Sequence, residues 1–261
     1  MKPDLTVARQ MIAADLLRLR KKRGMIALAL AVLLVPLVIM TGYDVVKHAS
    51  EPAHYPPAGG LNNYGRLLDL LGVFMGPVAA ILIGAEAGAG DLAAGVFRDN
   101  VLTGRSRTAL FLTRIPAAVA VTLAVTAIAF AIGLAATFGF ADGLATPSLS
   151  VVLASVAWLA LANAVLCVIA VGLASLTGSR SGTITALIGW ELVLSPLVVQ
   201  ATSLGTLRRG LFESVLMFLK PGALTGPPLI PMPVAVAVVV TIGWLLVLPA
   251  LGAWRMQTRD A

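Results

Sequence analysis

The sequence predicts an all-α membrane protein with six transmembrane helices and both termini in the cytoplasm. Three observations carry that expectation. Six continuous apolar runs, over about 25–43, 67–84, 115–140, 149–176, 183–204 and 234–254, approach the roughly 20 residues that a helix needs to cross a 30 Å hydrocarbon core. The mean hydropathy is +0.95, with 59% hydrophobic and 12% charged residues, more apolar surface than a water-soluble fold of this length can hide. The basic residues also divide unevenly. Fourteen of the 19 lie in the N-terminal lead, the second and fourth connections and the C-terminus, against Lys47, Arg66, Arg208, Arg209 and Lys220 on the other face. By the positive-inside rule the richer face is cytoplasmic.

The runs are continuous rather than alternating, so helices and not barrel strands are expected. Residues 1–24 read as a cytoplasmic amphipathic helix and basic anchor. Leu5, Ala8, Ile12, Leu16 and Leu19 recur at helical spacing, followed by Arg18, Arg20, Lys21, Lys22 and Arg23 beside the first span. A solvated, fraying chain end is the alternative. The net charge of +7 is explained by anionic headgroups next to this cluster rather than by nucleic acid. The charged lead and the lack of a small-residue cleavage site after the first run argue against a cleaved signal. Residues 25–261 form a single six-helix domain.

The connections differ in character. Asp44 to Arg66 holds Pro52, Pro56, Pro57, Gly59 and Gly60 and is expected to be an irregular crossing loop. Ala85 to Arg114 is longer than a turn needs yet too short for a domain, so a short helix against a cytosolic partner is expected there. Leu211 to Leu219 is apolar except for Glu213 and Ser214. Too short to span, it reads as a re-entrant or interfacial helix ended by Pro221.

Few residues offer chemistry. His48 and His54 both lie in the first outer loop, which argues against a membrane-embedded metal site or a Ser/His hydrolase. No phosphate-cradling Gly-x-x-x-x-Gly-Lys-Ser/Thr loop is present. Cys167, the single cysteine, reads as a packing residue. Glu191 stands near the centre of the fifth span, where a charge costs roughly 2.5–3.5 kcal/mol. Two readings stay open: a proton-binding or substrate-contacting site, with Trp190, Ser195, Pro196 and Gln200 on the same helix, or a hydrogen-bonded acid that fastens helices. Asn163 in the fourth span has the same two readings, with the structural one favoured. Gly72, Gly76, Gly84 and Gly88 are spaced for close helix contact, and Pro77 for a kink.

The inner end of the second span resembles the type 2 permease subunits of ATP-binding-cassette exporters. The residues that carry the likeness are Glu86, Gly90, Gly95, Leu102, Ser106 and Arg107, with Arg114 at the membrane edge; Thr103 and Gly104 stand where that family often has a proline. Six spans, cytoplasmic termini, an amphipathic N-terminal helix and a long fifth connection are also similar. The resemblance implies a coupling helix between spans 2 and 3. Val96 and Phe97 would anchor it in a groove of a separate ATPase subunit, and Arg98, Arg105 and Arg107 would pair with acidic residues there. It also implies a chain without catalysis or cofactor of its own, ATP and Mg residing on the partner ATPase. A second permease, identical or sister, would complete a path for a hydrophobic or amphiphilic substrate such as a drug, peptide antibiotic or lipid. The setting implied is a bacterial plasma membrane. The rival expectations are a proton-coupled secondary carrier that uses Glu191 and a non-transporting membrane scaffold.

Overall fold

A computed structural model describes residues 5–93, 106–221 and 230–258. These residues are helical with short connections, and no strand occurs among them. Helix α1 (Leu5–Lys21) is separated by Lys22 from α2 (Arg23–Ser50). Next come α3 (Gly60–Asp69), a π-helical turn (Leu70–Phe74) and α4 (Met75–Ala93), which run on as one rod. Helices α5 (Arg107–Gly139) and α6 (Leu149–Thr177) are long and uninterrupted. Helix α7 (Arg180–Gly189), a second π turn (Trp190–Leu194) and α8 (Ser195–Gln200) make another composite rod. A 3₁₀ segment (Thr202–Gly210) leads to the short α9 (Phe212–Leu219), and α10 (Val234–Thr258) closes the chain.

Six of these units are long and apolar enough to cross a membrane: Arg23–Ser50, Gly60–Asp91, Arg107–Gly139, Leu149–Thr177, Arg180–Gln200 and Val234–Thr258. The fold therefore fits a multi-pass membrane protein. Burial divides the six. In the most apolar stretch of the second and fourth spans 67% of residues are buried, against 6% in the last, so spans 2 and 4 form the centre and span 6 lies outside. Val238, Val239, Leu246 and Val247 on α10 are accordingly exposed, as lipid-facing residues should be.

Small residues set how closely the central pair approaches. A Cβ on Gly84 would stand 2.5 Å from the Cys167 carbonyl oxygen and 2.7 Å from Ala170 Cβ; on Gly88, one turn on, it would stand 2.5 Å from the Val171 carbonyl oxygen. Lipid tails are as apolar as a leucine, so van der Waals fit between backbones must supply the attraction. Cys167, the expected packing residue, is fully buried in this contact and accepts from Thr122 Oγ1 at 3.3 Å.

The first outer connection departs from expectation. It is irregular only over 51–59, because α2 continues to Ser50 and the second rod begins at Gly60. Asp44 meets Arg66 at 2.5 Å, which lets both helices extend past the hydrocarbon limit that the apolar pattern marks. The third span likewise begins at Arg107, eight residues before the apolar run at Ile115, with Ser106 as N-cap accepting from the Ala109 N–H at 3.2 Å.

Both π turns precede a proline. Pro77 and Pro196 lack an N–H, and each ring crowds the carbonyl four residues back, Val73 and Leu192, which lie inside the two π turns. Pro36, Pro116 and Pro249 are accommodated in α-helical turns, so proline alone does not widen a helix here.

Candidate functional site

At one end of the bundle three helices and the junction between α1 and α2 converge on two carboxylates of α4. Glu86 is ion-paired to Lys22, between α1 and α2, and to Arg180 of α7 at 2.7 Å. Asp91 is ion-paired to Arg18 of α1 and to Arg114 of α5, the latter at 2.8 Å. Asp15 adds an ion pair to Arg18 at 3.4 Å and accepts from Thr113 Oγ1 at 2.9 Å. Burial lifts the Asp15 carboxyl above the usual carboxylate range, against the opposing pull of Arg18 and the Thr113 hydroxyl.

The centre of this cluster is largely withdrawn from the surface, beside a cavity of about 220 Å³ lined by Asp15, Arg18, Asp91 and Arg114. The Arg114 side chain is 2% exposed and that of Asp91 11%; Arg114 Nη1 also donates to the Gly88 carbonyl oxygen at 3.3 Å, and Ser175 Oγ of α6 donates to that same oxygen at 3.1 Å. Charges so withdrawn from water hold only when each is matched, which is the case here. Gly90 makes the outer pair possible, since a Cβ there would lie 2.7 Å from Glu86 Oε1 and 3.3 Å from Lys22 Nζ.

The same end gathers the last turn of α10. Arg107 Nη1 donates to the Gln257 carbonyl oxygen at 3.3 Å, and Gln257 Nε2 donates to Thr108 Oγ1 at 2.9 Å. Helix α1 is held to α4 and α5 by its charges, and its Leu19, 1% exposed, joins the hydrophobic core.

Of the residues named from sequence, Glu86 and Gly90 lie in this cluster, while Ser106 and Arg107 open the helix that follows. Val96, Phe97, Arg98 and Arg105 lie outside the described residues. Arg114, expected at the membrane edge, and Arg18 and Lys22, expected only as a basic anchor, also lie in the cluster; Asp15, Asp91 and Arg180 carry no expectation from the sequence as site residues. Their signal was a pair of acids closing an apolar run opposite a surplus of basic residues.

Asn163 and Glu191 occupy different settings. Asn163 is fully buried, and its Nδ2 donates to the Leu71 carbonyl oxygen at 3.1 Å and to that of Leu159 at 2.9 Å. Leu71 sits in the first π turn, where bonding shifts to the fifth residue on, as from the Met75 N–H to the Leu70 carbonyl. The amide thus ties span 4 to the widened turn of span 2. A Cβ on Gly72 would meet the Trp158 ring; one on Gly76 would meet first the Leu71 carbonyl oxygen of the widened turn and then Asn163 Oδ1, so the π turn itself requires Gly76.

Glu191 lies in the second π turn and lines a cavity of about 260 Å³ between α6, α7, α9 and α10, together with Glu213 of α9. Gln200, at the end of α8, is exposed and does not line it. Comparison with known proteins finds no matching family model and no significantly similar curated sequence.

Proposed function

We propose that the chain is the permease subunit of an ATP-binding-cassette exporter, seated in a bacterial plasma membrane with the charge-paired end facing the cytoplasm. The observation that carries this reading is the ionic clamp around Glu86 and Asp91. These acids close α4 immediately before segment 94–105, and their four cations come from the N-terminal helix, the short connection after it, span 3 and span 5. A push on that segment would therefore reach several helices as a unit, since a matched buried network resists local deformation.

In this reading the segment forms the coupling helix against a separate ATPase that holds ATP and Mg, with Val96 and Phe97 as apolar anchors and Arg98, Arg105 and Arg107 as charge partners. Helix α1 lies at the inner leaflet, and α9 dips into the outer one. Two copies, or this chain and a sister permease, form the path for a hydrophobic or amphiphilic substrate.

The test is purification of the tagged chain with its chromosomal neighbours in mild detergent. An ATPase subunit is expected to co-elute with the wild-type chain and to be lost on Phe97→Asp combined with Arg105→Glu. A chain that elutes alone while its neighbours are folded and abundant overturns the assignment. A second reading, a proton-coupled carrier, rests on the carboxylates of the cavity and requires transport without any ATPase and its loss on Glu191→Gln.

A further inference from the structure

We infer that the cavity between α6, α7, α9 and α10 is a binding site for an organic monocation with an apolar body, such as a quaternary or protonated amine. Three independent observations converge on that ligand class.

The first is the absence of a counter-ion. Glu191 and Glu213 both line the cavity, and its described lining contains no Lys, Arg or His. Neither acid forms an ion pair among the described residues, although Glu86, Asp91, Asp15, Asp44 and Asp69 all do. The buried Glu213 and the half-buried Glu191 thus lack, among the described residues, the cation that carboxylates in an apolar setting ordinarily have.

The second is an unsatisfied atom. Glu213 is only 6% exposed, and its Oε2 has no hydrogen-bond partner among the described residues. Ser195, at the start of α8, lines the same cavity beside Glu213, so the open carboxylate oxygen belongs to the cavity wall. A buried carboxylate oxygen left without a partner is costly, and a ligand bearing positive charge or an N–H removes that cost.

The third is the wall. Trp190, Trp244 and Phe212 supply two indoles and a phenyl ring, with Leu187 and Ile169 completing an apolar surface. Aromatic faces attract alkylammonium groups through the ring quadrupole, most strongly where water is excluded. Trp244 Nε1 is already engaged with the Gly210 carbonyl oxygen at 3.1 Å, which fixes its indole across the gap between α10 and the 3₁₀ segment. An anion would face two acids here, and a neutral hydrocarbon would leave them unmatched.

The size is consistent with one small aromatic ammonium ion, since a cavity of about 260 Å³ is near the lower bound for small-molecule pockets. The inference goes beyond the permease reading, because it concerns this chain alone and needs no ATPase.

The test is equilibrium dialysis of the purified full chain in detergent with benzyltrimethylammonium, set against neopentylbenzene, the neutral isostere in which carbon replaces the nitrogen. Saturable 1:1 binding of the cation is expected, at least tenfold tighter than the isostere, and quenching of tryptophan fluorescence should follow it. Glu213→Gln and Glu191→Gln should each weaken the cation at least tenfold while leaving the isostere unchanged. The wild-type comparison needs no variant, so the test survives if a substitution fails to fold. Equal binding of cation and isostere, no saturable cation binding, or an unaltered double variant would overturn the site, and a proton would then be the better candidate for these acids. Because no partner is present, the outcome is independent of whether an ATPase co-elutes.

Discussion

The ion-paired end of the bundle and the acid-lined cavity use the same side-chain type under opposite conditions. On α4 both described carboxylates, Glu86 and Asp91, meet two cations each, and all four come from elsewhere in the chain. Among the described residues, the two carboxylates of the cavity meet none. Burial by itself therefore does not say what an acid is for; the sign and number of its neighbours do. A matched acid holds helices together, whereas an unmatched one leaves a requirement that a proton or ligand can meet.

The comparison breaks most sharply at Arg114. Arg114→Met removes a guanidinium that is 2% exposed and leaves Asp91 with only the half-open Arg18. A loss of about 3 kcal/mol is expected, read as a fall in the temperature at which detergent-solubilised protein stops eluting as a single species. No measurable fall would show that the centre of the cluster is hydrated and the charges not interdependent.

Asn163→Leu tests the neutral counterpart of that clamp. It strips the amide from the Leu71 carbonyl oxygen at the first π turn, and about 1 kcal/mol of stability is expected to go. If binding or transport is abolished while thermal stability is unchanged, Asn163 belongs to the substrate path instead.

Glu86→Gln and Glu213→Gln sharpen the contrast directly, being the same substitution in the two regions. Glu86→Gln should cost about 1 kcal/mol, a figure held down because Lys22 and Arg180 are each roughly two-fifths exposed. Glu213→Gln should change stability by less than about 0.5 kcal/mol in the unfavourable direction, since no cation is stranded by it. Equal losses in the same thermal assay would erase the distinction.

The smallest effect concerns Asp15, whose carboxyl is raised by burial. A raised acid binds its proton more tightly in the folded chain, so it withdraws stability as pH climbs from the ordinary aspartate value of 3.8 through the raised one. Asp15→Asn, which keeps an oxygen for Thr113, should therefore be slightly more stable than wild type at pH 7 and indistinguishable near pH 4. The opposite trend in melting temperature would mean that Arg18 dominates over burial.

Much of the fold is legible in the chain because hydropathy is a local quantity. The six apolar runs, the short helix at Phe212–Leu219 and the N-terminal helix are all readable from windows of a few turns. Helix ends were less legible. Polar residues such as Asp44, Arg66 and Arg107 extend helices beyond the apolar stretch through partners that no window contains. The candidate sites divide in the same way. Glu86, Gly90, Asn163 and Glu191 stand out as polar or small residues in apolar sequence. Glu213 carried the same signal in a shorter run.

Length, composition and charge order need no partner, and they establish that the chain is helical, apolar enough to cross a membrane six times, and basic on one set of connections. Which acids are matched is set by how the helices pack. Arg18 meets Asp91 across 73 residues, and the Asn163 amide reaches the Leu71 carbonyl across 92. Such meetings depend on the distance and rotation at which whole helices pack, set here by Gly84 and Gly88 against span 4. Those are properties of helix pairs and not of any single stretch of chain.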